Sequence, residues 1–241
     1  MAVQTVAKTD VGQKRDHNED SVLTASVSGG TLLAVADGMG GHNAGDVASE
    51  TALESLVEHV EDALGDRPTE TALAQAVEAA DADVRAAAAS DPGRAGMGTT
   101  LVAALVDDDG ATVVNVGDSR AYRVGANSID QVTVDHSLVR QLVEAGEITE
   151  AEAAVHPRRN VVSQALGASD SIDPDVCTPP FDAGETLLLC SDGLTGEVDE
   201  STTQEVVSGF DSLEAVAGEL VATANENGGS DNISVVLCRR D

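Results

Sequence analysis

The chain has 241 residues, 41% of them hydrophobic, which is enough apolar material for a folded domain with its own core. Aromatics are only 1% with no Trp, so the core must come from Val, Leu, Ala and Ile, and there is no stacking platform for single-stranded nucleic acid. Forty-three acidic residues against 13 basic ones give a net charge of −30, which argues against nucleic-acid and anionic-membrane partners.

The N-terminal stretch MAVQTVAKTD has no long apolar segment, and no run approaches membrane-spanning length. The chain therefore reads as cytoplasmic. Apolar, β-branched runs at 21–27 and 31–36 predict two strands. An Ala- and Glu-rich stretch at 44–90, broken at Gly65 and Pro68, follows them. Its apolar positions Val47, Leu53, Leu56, Val57 and Val60, then Leu73, Val77 and Val84, predict two amphipathic helices. Asn43 is placed to cap the first, and Pro68-Thr69 to open the second. Strands are predicted again at 100–106 and 111–116.

Residues 136–170 have a different texture, with helical pieces at 138–145 and 149–155 and the polar turn His156-Pro157-Arg158-Arg159. A strand at 186–190, a helix at about 211–226 and a strand at 233–238 complete the chain. With no repeat or low-complexity linker, the expectation is one domain, 1–241, of two packed sheets flanked by helices. Cys177, Cys190 and Cys238 are odd in number and lack Cys-x-x-Cys spacing, so they read as reduced thiols rather than a disulfide or zinc framework. Acidic residues spread along the whole chain, and the only lysines are Lys8 and Lys14. Such a halophile-like surface suits a salt-rich medium that screens self-repulsion.

Three apolar runs end in aspartate beside glycine: Asp37-Gly38, Gly117-Asp118 and Asp192-Gly193. A fourth aspartate, Asp231, precedes the last run, ISVVL. One Asp-Gly after a strand is usually only a turn. Four such aspartates at strand boundaries converge on one rim if the last strand runs antiparallel to the others. Carboxylates gathered there without a cation would raise one another's pKa. Mg²⁺ and Mn²⁺ are the hard cations that prefer such oxygen ligands, and a pair of them generates a nucleophile from water at neutral pH.

Eight segments in order carry a resemblance across roughly 220 residues of the chain: RDHNED, VADGMGGHNAGDVAS, GMGTTLVAAL, VNVGDSRAY, DHSLVRQLVEAG, HPRRNVVSQALG, SDGLTGEV and GGSDNISVV. Together they resemble the bacterial-type PPM (protein phosphatase 2C) serine/threonine phosphatases. The resemblance implies an α+β fold, a four-layer α-β-β-α sandwich with two central, mainly antiparallel sheets and a small flap at about 136–170. It implies two Mn²⁺ or Mg²⁺ ions, with Asp37 bridging them, Gly38 offering its carbonyl to one, and Asp192 and Asp231 holding the other. Asp118 matches a ligand of a third, weaker metal, while Glu19 and Asp20 match residues that contact metal-bound water. Arg15 matches a bidentate clamp on the substrate phosphate.

The implied reaction is direct hydrolysis of phosphoserine and phosphothreonine on proteins by a hydroxide bridging the metals, with no phosphoenzyme. Eukaryotic members carry His directly after the Asp-Gly pair, whereas this chain has Met39; His42 is the available imidazole, either as the proton donor or shuttle or as a group that caps the following helix or orients metal-bound water. Thr99, Thr100, Ser119 and Arg120 are expected to pack and hydrogen-bond rather than react. The implied partners are phosphoprotein products of a serine/threonine kinase, acted on by a monomer. The alternatives are a pseudophosphatase, which predicts a lost ligand aspartate, and a small-molecule phosphoesterase of the same fold.

Overall fold

The computed structural model describes residues 3–40, 44–65 and 67–240. The chain opens with strand β1 (Val3–Asp10) and a hairpin of β2 (Asp20–Val27) and β3 (Gly30–Met39). Helices α1 (Gly45–Ala63) and α2 (Thr69–Ser90) follow, then β4 (Gly98–Thr99), β5 (Leu101–Val106) and β6 (Ala111–Val116). Next come β7 (Arg120–Val124), β8 (Ile129–Gln131) and two short helices, α3 (Leu138–Glu144) and α4 (Glu150–Ala154). The last part holds β9 (Asp175–Cys177), β10 (Thr186–Cys190), α5 (Asp192–Thr195), α6 (Glu200–Gly209), α7 (Leu213–Asn227) and β11 (Ile233–Arg240).

Two antiparallel sheets lie face to face. One has the order β1-β11-β10-β7-β8, and the other β2-β3-β5-β6-β9, with β4 added to the end of β3. Leu33, Val35, Val102, Leu187, Leu189 and Val236 fill the space between them. The outer face of the second sheet packs Leu32, Leu101 and Leu105 against Leu56 and Val60 of α1 and Leu73 and Val77 of α2. The outer face of the first packs Leu188, Val235 and Leu237 against Val216, Leu220 and Val221 of α7. Three apolar layers separate four structural ones, which is the expected α-β-β-α sandwich. Burying one of these leucines contributes about 2 kcal/mol, so small-to-moderate side chains in number replace the missing aromatics.

The core strands read correctly from sequence because both faces are buried, leaving continuous apolar runs. The helices at 44–90 also form where expected, and Leu53, Leu56, Val60, Leu73, Val77 and Val84 are all buried. Asn43 lies outside the described residues, and Ala44 at the start of α1 makes no side-chain cap. The helix expected at 211–226 starts at Leu213, because the Ser212 side chain accepts a hydrogen bond from the Ala215 N–H. The three thiols are free, with Cys190 and Cys238 buried. Among the described residues no helix is long and apolar enough to cross a membrane.

Candidate active site

The direction of β11 decides where the aspartates meet. It runs antiparallel to β10 with Val235 opposite Cys190, so its first residues lie beside the end of β10. Strand β7 is also antiparallel to β10, with Arg120 opposite Cys190. Asp118, Asp192 and Asp231 therefore share one edge of the first sheet. In the second sheet Asp20 lies opposite Asp37 at the same end of the sandwich. Asp37 and Gly38 do not follow their strand, as the apolar pattern suggests; they lie within it. Pairing of Gly38 and Met39 with β4 extends β3 beyond its apolar run. Asp192 likewise opens the short helix α5 rather than a plain turn.

A pocket of about 400 Å³ at this edge is lined by Arg15, Glu19, Asp37, Gly38, Asp118, Asp192 and Asp231, together with Asn160 and Asn232. A neighbouring cleft of about 650 Å³ shares Asp118, Asn160, Asp192 and Asp231, and is walled by Val139, Val143 and Ala153 of the helical excursion. The structure thus brings together every sequence-predicted site residue except two. Asp20 lies beneath the pocket, buried between the sheets, where its Oδ2 accepts a hydrogen bond from Ser191 Oγ (2.8 Å). His42 falls outside the described residues.

Threonines from the GMGTT segment fix the backbone of Asp37. The Asp37 carbonyl accepts from Thr100 N (2.9 Å) and Thr99 Oγ1 (3.0 Å), and its N–H donates to Thr100 Oγ1 (3.1 Å). Thr100 Oγ1 in turn meets Ser119 Oγ at 2.8 Å. Gly38 is held where the start of α1 crosses the strand. A Cβ there would overlap the Gly45 carbonyl oxygen and stand 2.5 Å from Glu19 O. Both obstacles are backbone. Gly38→Ala is therefore expected to destabilise the chain by about 3 kcal/mol or lose the fold, measured by chemical denaturation.

Asn232 is a site residue that sequence reasoning passed over. Its Oδ1 accepts from Glu19 N (2.8 Å), while its Nδ2 donates to Val11 O (3.0 Å) and His17 O (2.9 Å). It staples the RDHNED loop to the GGSDN turn, more than 200 residues apart in sequence. The signal was a polar residue inside a matched segment at the start of an apolar strand. Arg120 takes the supporting role expected of it, forking onto both oxygens of Asp135 and reaching Tyr122 Oη.

Electrostatically the pocket is under-compensated. Burial first, and then Asp20, Asp192, Asp118 and Asp231, push the Asp37 carboxyl well above the ordinary range. Burial is also the largest cause for Asp20 and Asp118, each raised to about 7. Asp192 is raised by burial and by Asp231, against an opposing hydrogen bond with Asp37. The positive charge in the pocket lining is Arg15, whose Nη2 donates to Asp231 Oδ2 at 2.6 Å. Asp20 Oδ1 is buried with no hydrogen-bond partner.

An oxygen-only donor set with mutually raised carboxyls fits a hard divalent cation, which would relieve the repulsion among them. Among the described residues no three His, Cys, Asp or Glu side chains form a ready-made ligand cage. Sites for such cations complete their shells with backbone carbonyls and water.

The same fold is found in serine/threonine phosphatases of known structure. The Mycobacterium tuberculosis serine/threonine phosphatase PstP/Ppp superposes with a TM-score of 0.91 at 36% identity, covering 100% of both chains. The catalytic domain of PstP in complex with two manganese ions gives a TM-score of 0.86 at 35% identity, covering 99% of each chain. In sequence, the serine/threonine phosphatase stp of Listeria monocytogenes is 40% identical over 238 residues, 97% of this chain and 94% of that one. Residues 11–237 match the family model described as protein phosphatase 2C, and the chain belongs to that family.

Proposed function

We propose that this chain hydrolyses phosphoserine and phosphothreonine on proteins in the pocket built by Asp37, Asp118, Asp192 and Asp231. The convergence of these four carboxylates with Arg15 in one pocket carries the reading. All four are present, so the lost ligand expected of a pseudophosphatase does not occur. Asp37 and the Gly38 carbonyl, with Asp192 and Asp231, would hold two divalent ions, Mn²⁺ or Mg²⁺, and Asp118 a third, weaker one. When bound, these ions supply a nucleophilic water at neutral pH and draw negative charge from the phosphoryl oxygens.

The chain's own residues do the positioning. Thr99, Thr100 and Ser119 hold the Asp37 backbone so that its carboxylate cannot retreat from the pocket. Asn232 fixes Glu19 and the loop that carries Arg15. Arg15 presents a guanidinium fork at the pocket mouth, half exposed and able to exchange Asp231 for a phosphate oxygen pair. Asp20, anchored by Ser191, sits behind Asp37 and would accept hydrogen bonds from water on the bound ions. Residues 136–170 form the flap of a single domain and wall the adjoining cleft, which receives the polypeptide around the phosphorylated residue. His42 is the proposed proton donor to the leaving hydroxyl.

Kinase products are the natural substrates, and the cytoplasm is the proposed location of a monomer whose acidic surface suits high salt. The decisive experiment measures phosphate release from a phosphothreonine peptide with Mn²⁺ and then with EDTA. Activity that survives EDTA, or is absent with every divalent cation tried, overturns the reading. Arg15→Ala is expected to lower kcat/KM for the peptide by about 10- to 100-fold, the value of one charged, bidentate hydrogen-bonded contact, with Arg15→Lys in between. An unchanged kcat/KM in steady-state assays would remove Arg15 from the phosphate site.

A further inference from the structure

His136 is a buried imidazole that lines neither the carboxylate pocket nor the cleft beside it. It grips a single residue from both sides. The Gly117 N–H donates to His136 Nδ1 (3.3 Å), and the His136 backbone N–H donates to the Gly117 carbonyl (2.8 Å). Asn115 Nδ2 donates to that same carbonyl at 3.1 Å. Gly117 precedes Asp118 in the turn from β6 to β7, and it needs the restraint. Its φ is +112°, and a Cβ there would stand 2.6 Å from Thr100 Cβ. Glycine reaches that region without strain, but its wide conformational freedom means that outside contacts must select it.

The partners also fix the ring. Because a backbone N–H points at Nδ1, that nitrogen carries no proton, so Nε2 is protonated and donates to Asp175 Oδ2 at 3.0 Å. Asp175 is on β9, opposite Asn115 of β6, so the orienting carboxylate is anchored in the same sheet as the turn. We propose that His136 is the positioning residue of the Asp118 turn: held by Asp175, it keeps Gly117 in the conformation that presents Asp118 to the pocket. This rests on the reading of Asp118 as a ligand of the weaker cation.

The test is Mn²⁺ titration calorimetry on the full chain, with amide exchange at Gly117 read separately in EDTA. Asp118→Ala should remove the weakest site and leave the two tighter ones. His136→Gln, whose amide cannot replace the Nδ1 acceptor, should weaken that same site about tenfold, the value of one hydrogen bond, and speed Gly117 exchange by a similar factor. His136→Asn, whose side-chain oxygen can take the Nδ1 position, should stay within about threefold of wild type on both measures. Asp175→Ala, at an exposed position, removes the acceptor for Nε2–H and should loosen the weakest site in the same sense, and it carries the test if the Gln variant does not fold. Adding His136→Gln to Asp118→Ala should change cation binding no further.

Wild-type binding by the Gln variant, equal loss at all three sites, or failure of Asn to rescue overturns the positioning role. Wild-type binding by Asp118→Ala overturns the ligand reading beneath it, and the two failures are distinguishable.

Discussion

Asp37→Asn is expected to lower phosphate release by about 10³-fold or more, while making the cation-free protein more stable rather than less. The two effects share one cause. The Asp37 carboxyl is pushed well above its ordinary range by burial and by four neighbouring aspartates, so its charged form is disfavoured in the folded state. At pH 8 the folded chain must either hold that charge or take up a proton, and either option costs stability relative to the unfolded chain. Asparagine removes the charge and keeps the shape. Its amide can also donate to Asp192, the partner that Asp37 already has. A gain of about 2 kcal/mol would raise Tm in EDTA by about 4–8 °C for a chain of this length. The same substitution should abolish most of the Tm increase that Mn²⁺ gives the wild type, because the proposed bridging ligand is gone. Scanning calorimetry with and without Mn²⁺, beside a phosphopeptide assay, reads both. Turnover within tenfold of wild type, or a lower Tm in EDTA, would contradict the bridging role.

The aspartates were legible in the sequence because each stands at the edge of an apolar run, three of them beside glycine at its end and Asp231 just before its start, where a side chain can reach a rim. The central strands were legible for a related reason: β5, β6 and β10 are buried at every position and admit no polar interruption. Strand β7 escaped because Arg120 and Arg123 break its pattern. Their ion pairs with Asp135 and Asp130 are what make arginine tolerable there, and those partners come alongside only when β8 pairs with β7. Strand β1 is an edge strand, paired only with β11, and its mixture of Gln4, Thr5, Lys8 and Thr9 carries no clean alternation. Helix α6 is polar over most of its surface and buries only Thr203 and Val207.

What stayed hidden in the site was its support. Asn232, Ser191 and His136 act through hydrogen bonds to residues as far as 221 positions away, and no local pattern marks a staple of that span. Asp20 was recognised by its motif, yet the link from its carboxylate to Ser191 of the opposite sheet appears only when the sheets are packed. Motif spacing therefore found the groups that line the pocket, and three-dimensional packing was needed to find those that hold them.

Removing divalent cations should make stability fall steeply as pH rises from 5 to 8. Asp20 and Asp118 are both buried, and both have carboxyls raised from the ordinary range to about 7. A carboxyl whose folded pKa lies above its unfolded value binds more protons in the folded state. Its contribution is therefore fully present below about pH 4 and is lost as pH rises through about 7. Each displacement corresponds to roughly 4 kcal/mol when both groups are fully ionised, although two such carboxyls in one field do not add independently. A Tm drop of about 10 °C or more over this range in EDTA is the expected size. The net charge of −30 pushes in the same direction, so the series belongs in about 1 M salt, where the Debye length is about 3 Å and surface repulsion is screened. Saturating Mn²⁺ should flatten the profile, because a cation favours the ionised carboxylates and binds only the folded chain. Asp118→Asn should flatten it partly without any cation, by removing one of the two groups. A profile in EDTA that is level, or that rises toward pH 8, would mean these carboxyls are not held against one another in the folded protein. The case for a cation site at the sandwich edge would then lose its electrostatic basis.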